Sequence, residues 1–380
     1  MSLIFLISFC LLAVIAYCIR IIVYASALPR SVAVTRLPAD IARMSISLLV
    51  PVRNEHAQLE RLVREISNLD YPDRLYDVIF IDDHSEDGSD KILRDAANGN
   101  SNYHFLQLSG DKEGKKQAIS AGVHYSDRDW ILQVDADAIL PPGLLREHAA
   151  RAAEGDVVLI TGPVLQSAVS GGWKNIESLE FMSLAAAGMA SFFTGKPIMC
   201  NGANLSYSRP FYLTVEEELL TIPSTSGDDV FMLQSAVNHD KSVAYLAIDQ
   251  AVVETPATGS MKEFLRQRTR WASKTRYSAD SELVLVAVLV WLANAVLTGL
   301  LVAGLVRPNW LALFMPLWVL KAGSDLYLLY RFTTLYQRNR ILCWFLPASL
   351  FYYFYIVVAG LLAMAGRFRW KGRKYSAATD

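Results

Sequence analysis

The chain has 380 residues, 53% of them hydrophobic, and a formal net charge of −1. A near-neutral chain has no general electrostatic attraction to nucleic acid, so we expect no nucleic-acid partner. The hydrophobic residues are concentrated in a few long runs, which is typical of a membrane protein that also has a soluble part. The four cysteines lack the spacing of zinc ligands and are interpreted as free thiols.

The first apolar run extends from Leu3 to about Tyr24 and is interrupted only by Arg20. A spanning helix needs about 20 apolar residues, and no basic segment precedes this run as it would in a signal peptide. We therefore predict an uncleaved transmembrane anchor over residues 1–27.

The next region, residues 35–260, has the pattern of an α/β domain. Strand-like apolar runs such as Ser45–Val52 and Tyr76–Asp82 alternate with segments whose apolar residues recur at helical spacing. Ser89 is a candidate N-cap of one such helix. Strands that alternate with helices predict parallel pairing in a doubly wound sheet, and ligands bind at the carboxyl ends of its strands.

Aspartates stand where two of these strands end. Asp82 and Asp83 follow the second predicted strand, and Asp135 and Asp137 follow the fourth. Converging carboxylates repel each other unless a cation lies between them, and Mg²⁺ or Mn²⁺ prefers oxygen ligands and often binds phosphates as well. Solvated turn aspartates would give the same local pattern, but two acidic strand ends together favour a divalent metal site.

Two predicted helices begin with charged residues. Lys115 and Lys116 follow a glycine, and a helix N-terminus with lysines suits a diphosphate; a solvated helix face is the alternative. Asp228 and Asp229 begin another helix, where the helix dipole alone favours acids and where a catalytic base could also lie.

A basic segment precedes the remaining apolar runs. Trp271 is surrounded by five cations, and we predict an interfacial helix over residues 261–280. Three predicted spans follow within residues 281–366, and a basic tail occupies residues 367–380. Because basic flanks lie on the cytoplasmic side, we expect a protein of the inner or plasma membrane with its soluble domain in the cytoplasm. The basic tail also favours the cytoplasm, although three spans would place it on the other side.

Seven short motifs occur in a fixed order from Ser45 to Trp271: LLVPVRNE, IDDHSEDGS, GKKQAI, VDADA, GANLSYSR, GDDVF and QRTRW. In this order they resemble the membrane-bound family 2 glycosyltransferases that have a GT-A fold and a Gln-x-x-Arg-Trp motif. That subgroup includes cellulose, hyaluronan and chitin synthases and ceramide glucosyltransferases. The resemblance implies a Rossmann-like α/β GT-A domain that binds a nucleotide sugar, with flanking transmembrane helices.

The resemblance also implies roles for individual residues at the donor site. Pro51 and Glu55 match the first-strand motif, which lies near the nucleotide. Asp83 matches the aspartate that contacts the uridine of the donor. Asp135 and Asp137 match the acidic pair that holds Mg²⁺ or Mn²⁺ on the UDP diphosphate.

Further matches concern the chemical step. Asp229 matches the general base, and Asp228 stands where the family has a glutamate. Gln267, Arg270 and Trp271 match the Gln-x-x-Arg-Trp motif, which the family places beside the donor diphosphate and the acceptor. The other cations of this segment are interpreted as topology signals and phospholipid contacts: Arg266, Arg268, Lys274 and Arg276.

Two apolar segments leave alternatives open. Lys321 and Asp325 lie four residues apart in a predicted span, where they form either a simple ion pair or a functional site. Glu177–Cys200 is unusually apolar, and it is either a buried core helix or an interfacial segment that meets a lipid acceptor.

We expect an inverting glycosyltransferase that moves one sugar from a UDP-sugar to a membrane lipid. Only four spans are predicted, which leaves little room for a polymer channel. A processive polysaccharide synthase is the alternative. A non-catalytic scaffold that binds sugar nucleotides is a third interpretation, but loss of an acid or of the Gln-x-x-Arg-Trp motif would indicate it, and all are present.

Overall fold

The structure is a computed structural model that describes residues 3–32, 44–110, 112–167, 171–223, 227–274, 280–364, 367–370 and 373–376. The chain divides into two units. The sheet domain comprises Ser31–Ser167 and Ile198–Pro256, and the helix domain comprises Met1–Arg30, Ala168–Pro197 and Ala257–Asp380. Residues 168–197 thus lie inside the predicted catalytic segment but belong to the helix domain.

The α-helices are named in chain order. They are α1 (Leu3–Ala27), α2 (His56–Ser67), α3 (Ser89–Gly99), α4 (Lys115–Tyr125), α5 (Leu144–Ala152), α6 (Gly172–Phe193), α7 (Arg209–Thr221), α8 (Asp228–Asn238), α9 (Met261–Lys274), α10 (Ser281–Val306), α11 (Leu311–Leu335) and α12 (Phe345–Met364).

The strands are named in the same way. They are β1 (Ile46–Val52), β2 (Tyr76–Asp82), β3 (Tyr103–Gln107), β4 (Trp130–Gln133), β5 (Leu159–Thr161), β6 (Val164–Gln166), β7 (Leu205–Ser208), β8 (Val243–Tyr245), β9 (Val253–Thr255), β10 (Arg367–Trp370) and β11 (Arg373–Ser376). Seven of them form one sheet in the order β3-β2-β1-β4-β7-β5-β8, while β6 pairs with β9 and β10 pairs with β11.

Parallel pairing is confirmed for β1 to β4, whose strands alternate with helices. The first two strands are almost wholly buried, as the continuous apolar runs predict for strands covered on both faces. β7 departs from the prediction, because it runs antiparallel to both β4 and β5. The sheet is therefore mixed, and β7 lies beyond the last strand in the predicted alternation.

Ser89 is not the N-cap of α3, so that prediction is wrong. The cap is Gly88, whose φ of 87° suits a residue without a side chain, and Ser89 is the first helical residue. The Ser89 hydroxyl accepts the N–H of Glu55 at 3.0 Å and donates to Asp87 at 2.6 Å. It therefore joins the loop after β1 to the loop after β2, a long-range role that local helix-start patterns do not indicate.

Five described helices are long and apolar enough to cross a membrane, one more than the sequence predicts. The additional helix is α6, which begins after β6 and ends before β7. Since β5 and β7 are hydrogen-bonded neighbours in one sheet, the chain enters and leaves α6 on the same side of any membrane. α6 is therefore not a single crossing, and much of its length is buried within the helix domain.

The charged pair in α11 is an ion pair, as one of the two interpretations predicts. Lys321 Nζ lies 2.6 Å from Asp325 Oδ2, and the hydroxyl of Tyr17 donates to Asp325 Oδ1 at 2.7 Å. The Lys321 side chain is fully buried and also faces the rings of Tyr352 and Tyr353. The pair thus connects α1, α11 and α12 inside the helix domain.

Candidate functional site

The acidic ends of β2 and β4 lie on either side of β1 and are joined by the start of α4. The backbone N–H of Gly114 donates to Asp83 Oδ2 at 3.0 Å. The next residue, Lys115, places its Nζ 2.6 Å from Asp135 Oδ1. Two consecutive residues therefore bind the two carboxylates that the sequence predicts to lie near each other.

Lys115 also connects this edge to α8. Its Nζ lies 3.6 Å from Asp228 Oδ2, and the same oxygen accepts a hydrogen bond of 2.8 Å from Gln133 Nε2. Gln133 donates to the backbone oxygen of Gly202 as well, at 3.2 Å. We call Gln133, Lys115, Asp135 and Asp228 the acid cluster.

Gln133 belongs to the acid cluster but was not predicted from the sequence. It is buried at the end of β4, directly before the predicted metal-binding segment. A polar side chain at the end of an otherwise apolar buried strand needs a hydrogen-bond partner. This requirement could have identified Gln133 from the sequence. Its partner, Asp228, lies 95 residues away in the sequence.

Gly202 packs closely against the acid cluster. A Cβ at this position would lie 2.9 Å from Gln133 Nε2 and 3.1 Å from Lys115 Nζ. The glycine lets the backbone approach both polar groups, so the loop before β7 forms one wall of the cluster.

The two consecutive lysines have different environments. Burial opposes the charge on Lys115, but Asp135 and Asp228 outweigh it and raise its pKa, so the side chain stays an ammonium ion. Lys116 donates instead to the carbonyl oxygens of Leu219 and Ile222 at the end of α7, at 3.0 and 3.1 Å. Burial lowers the pKa of Lys116 to about 8. The structure therefore places Lys115 in the acid cluster and directs Lys116 to the α7 carbonyls.

Asp229, the predicted base, has its own set of contacts. Its Oδ2 accepts the N–H of Gly202 at 3.1 Å, and its Oδ1 accepts the N–H of Val230 at 2.8 Å. The carboxylate is thus held against the same glycine that borders the acid cluster. The neighbouring residue, Asp228, contacts Lys115 and Gln133.

The remaining residues of the predicted donor site lie around the ends of β1 and β2. Arg53 donates from Nη1 to the backbone oxygen of Asp83 at 2.8 Å and lies 3.5 Å from its Oδ1; sequence reasoning missed this arginine. Pro51 lies in β1, opposite Ile81 of β2. Glu55 precedes α2, and its N–H donates to Ser89 as described above.

The donor atoms suit a divalent metal that binds together with a diphosphate. Asp135 and Asp137 are the predicted ligands; the backbone oxygen of Asp137 accepts a hydrogen bond of 2.8 Å from Arg61 Nη2. The described residues contain no group of three or more His, Cys, Asp or Glu that could hold a metal. Mg²⁺ commonly uses one or two carboxylates and completes its shell with water and substrate phosphates. The Lys115 ammonium on Asp135 shows that this carboxylate takes a cation.

The Gln-x-x-Arg-Trp motif lies on α9 of the helix domain. Gln267 Oε1 accepts a hydrogen bond from Arg268, and the ring of Trp271 lies 6.1 Å from that of Phe181 in α6. Arg270 is partly buried.

The prediction that Arg268 contacts phospholipid is wrong, because its guanidinium is buried and paired with Glu180 of α6. Arg266 is exposed, which leaves its predicted role open. The Lys274 side chain and Arg276 lie outside the described residues, as do the side chains of the basic tail.

Family models match most of the sheet domain and much of the helix domain. Residues 47–211 match the model of glycosyl transferase family 2. Residues 130–358, more than half of the chain, match the model of glycosyl transferase family group 2.

Curated relatives match over shorter segments. The undecaprenyl-phosphate 4-deoxy-4-formamido-L-arabinose transferase of Proteus mirabilis (strain HI4320) is 36% identical over 115 residues, which is 30% of this chain and 35% of that protein. An N-acetylglucosaminyltransferase of Mesorhizobium japonicum is 25% identical over 244 residues, 61% of this chain and 56% of that protein. The chain thus spans only about a third to just over half of the length of these relatives.

A solved structure has the same fold. The mannosyltransferase of Pyrobaculum calidifontis, in complex with GDP-Man and Mn²⁺, is similar over 88% of this chain and 99% of its own, with a TM-score of 0.56 and 17% identity. This similarity and the family 2 match confirm the predicted GT-A fold.

Proposed function

This chain belongs to glycosyl transferase family group 2, and we propose that it transfers one sugar from a UDP-sugar to a membrane lipid. The observation that carries the proposal is the acid cluster. The Lys115 ammonium lies between the carboxylate of Asp135, which follows the carboxyl end of β4, and that of Asp228, the first residue of α8. Ligands of α/β sheets bind at this edge, outside the carboxyl ends of the strands.

The donor site is proposed to lie along the acidic edge. Asp83, held by Gly114 and Arg53, contacts the uridine in this proposal, and Pro51 and Glu55 lie near the nucleotide. Asp135 and Asp137 hold Mg²⁺ or Mn²⁺, which neutralises charge on the diphosphate when it is bound. The similar mannosyltransferase holds Mn²⁺ together with a nucleotide sugar, which supports the pairing of metal and donor. The choice of UDP rests on the motif that contains Asp83.

Asp229 is the proposed general base. It takes the proton from an acceptor hydroxyl, whose oxygen then bonds to the anomeric carbon of the sugar while the bond from that carbon to the UDP oxygen breaks. One displacement of this kind inverts the configuration. The charged Lys115 side chain stabilises the negative charge of the departing diphosphate. Gln267, Arg270 and Trp271 take part in the same transfer; the support is the family motif that they match.

A lipid acceptor is supported by the long apolar helices and by a relative. In the part of the chain that the structure describes, four helices other than α6 have the length and composition of membrane spans. Ceramide, diacylglycerol, a carotenoid and a polyprenyl phosphate are all compatible with the sequence. The Proteus relative is named for transfer to undecaprenyl phosphate, which favours a polyprenyl phosphate among them. The basic flanks of the sheet domain support its place on the cytoplasmic side of the membrane.

The test is a transfer assay with the purified full chain in vesicles of native lipid. Radiolabelled UDP-glucose, UDP-galactose, their N-acetylated forms and GDP-mannose are supplied separately, and products are separated by thin-layer chromatography and sized by mass spectrometry. We expect one UDP-sugar to label a lipid that carries one sugar, and we expect EDTA to abolish the label until Mn²⁺ or Mg²⁺ is restored. The Asp135→Asn variant is the inactive control.

Two other results would change the proposal. A ladder of sugars, or label in a water-soluble polymer, would establish the processive synthase instead. Label from GDP-mannose alone would refute UDP as the nucleotide.

A further inference from the structure

A buried ion pair lies next to the Gln-x-x-Arg-Trp motif. The side chains of Arg268 in α9 and Glu180 in α6 are only 4% and 6% exposed. Two guanidinium nitrogens donate to the same carboxylate oxygen, with a distance of 2.7 Å from Nε. Burying two charges is unfavourable unless they are paired and hydrogen-bonded, so the presence of this buried pair beside the motif needs an explanation.

All of the pair's polar groups have partners. Glu180 Oε1 accepts a hydrogen bond of 2.6 Å from the hydroxyl of Tyr355 in α12. The third nitrogen of Arg268, Nη1, donates to Gln267 Oε1. A fully satisfied network of this kind holds each member in one orientation.

Arg268 contacts two of the three residues that define the motif. Besides its hydrogen bond to Gln267, its guanidinium carbon lies 4.3 Å from the centre of the Trp271 ring. The same guanidinium carbon lies 4.5 Å from the centre of the Phe264 ring, one turn earlier on the helix, and Phe264 is fully buried. Phe181, next to Glu180 in α6, faces the Trp271 ring as well.

We propose that Arg268 and Glu180 are positioning residues, which fix the side chains of Gln267 and Trp271 in the orientation needed for sugar transfer. This inference rests on the proposed function, in which the motif takes part in transfer. The pair acts through the motif residues and does not itself contact the donor or the acceptor. Arg266, two residues earlier on α9, is exposed and supplies a matched comparison.

Stability and positioning can be separated because an apolar replacement of a buried ion pair is often neutral or stabilising. The triple variant Glu180→Leu, Arg268→Leu and Tyr355→Phe removes both charges together with the tyrosine hydroxyl, so that only Gln267, which is partly exposed, loses a hydrogen bond. Such a variant can fold, but it cannot orient the amide of Gln267. If the pair were purely structural, the folded variant would transfer sugar at the wild-type rate. If the pair positions the motif, the folded variant would be slower.

The experiment measures kcat and the donor KM of purified variants in the vesicle assay, together with thermal unfolding in detergent. For the triple variant and for Arg268→Lys we expect a kcat between about tenfold and a hundredfold lower, since a misplacement of about 1 Å can cost 10²-fold. The donor KM should change less than about threefold, because the acid cluster is intact. Arg268→Lys keeps the positive charge but loses the planar guanidinium that donates to Glu180 and Gln267 at the same time. The Arg266→Leu control should keep the wild-type kcat.

Wild-type kcat in Arg268→Lys would overturn the inference, and so would wild-type kcat in a folded triple variant. If the triple variant does not fold, the kcat of Arg268→Lys alone tests the inference. Failure of the proposed function has a different signature, because the unaltered chain would then transfer no sugar from any UDP-sugar.

Discussion

The ammonium group of Lys115 lies 2.6 Å from a carboxylate oxygen of Asp135. Because the preceding residue, Gly114, binds Asp83 through its backbone, the first turn of α4 joins the acidic ends of two strands. A cationic side chain therefore stands against the carboxylate that is proposed to bind a divalent metal. We therefore expect the ammonium group and the metal to compete for Asp135 in the absence of donor.

Replacement of Lys115 by Met should strengthen the binding of Mn²⁺ to the donor-free protein. Two unit charges about 4 Å apart interact by about 1 kcal/mol even in water, so the dissociation constant should fall by at least about fivefold. Titration followed by electron paramagnetic resonance measures this directly. Lys112→Met, at an exposed lysine three residues earlier, is the control and should change nothing. Unchanged or weaker Mn²⁺ binding in the Lys115 variant would exclude the competition.

Asp229→Asn should retain UDP binding and lose at least about 10²-fold in transfer rate, because a general base acts only in the chemical step. Calorimetric titration with UDP and the radiolabel assay measure the two properties separately. A variant that keeps more than about a tenth of the wild-type rate would exclude this base role. Asp228 would then be the next candidate, or the acceptor would be a phosphate, which is already ionised and needs no base.

Gly202→Ala should damage the site more than the fold. The added methyl group would crowd the ends of two flexible side chains, Gln133 and Lys115, which can move without disrupting the sheet. We expect a small change in melting temperature and a loss of transfer of up to about 10²-fold, as for other small misplacements of catalytic groups. Gly99→Ala is the matched control, since its Cβ would meet nothing within 4 Å. Equal effects of the two changes on kcat would contradict the assigned role of Gly202.

His148 should make the sheet domain less stable in acid. Burial lowers its pKa to about 4, and the neutral ring is held between Asn204 and Ser206. The unfolded chain, with a histidine pKa of about 6.5, binds more protons between these values. The contribution of His148 to the free energy of unfolding is therefore fully present above about pH 6.5, and it falls by about 3 kcal/mol as the pH approaches 4.

Thermal unfolding at pH 7.5 and at pH 5 measures this contribution. His148→Gln should show a smaller loss of melting temperature between the two pH values than the unaltered chain does. His56→Gln, at an exposed histidine, should behave like the unaltered chain. An unchanged pH dependence in the His148 variant would show that other groups cause the acid sensitivity.

The sequence by itself determined the elements whose signals are local. The apolar runs of β1 and β2, the helical spacing in α2 and the long apolar helices each depend on residues close together in the chain. The parallel order of β1 to β4 follows from the alternation of strands and helices, and it brings the acidic strand ends to one edge of the sheet. The motif order identified the GT-A fold for the same reason, since each motif is short and continuous.

The tertiary structure decided which charged groups meet. Nothing local distinguishes Lys115, which binds Asp135, from Lys116, which binds the carbonyls of α7. Arg268 and Glu180 are 88 residues apart. The sequence of the basic segment therefore predicts contact with a membrane surface, whereas in the structure Arg268 forms a buried ion pair. The course of α6 was decided in the same way: its composition suits a membrane span, but the pairing of β5 with β7 returns the chain to the same side. Contacts between distant segments depend on strand order and helix packing, which local periodicity does not specify.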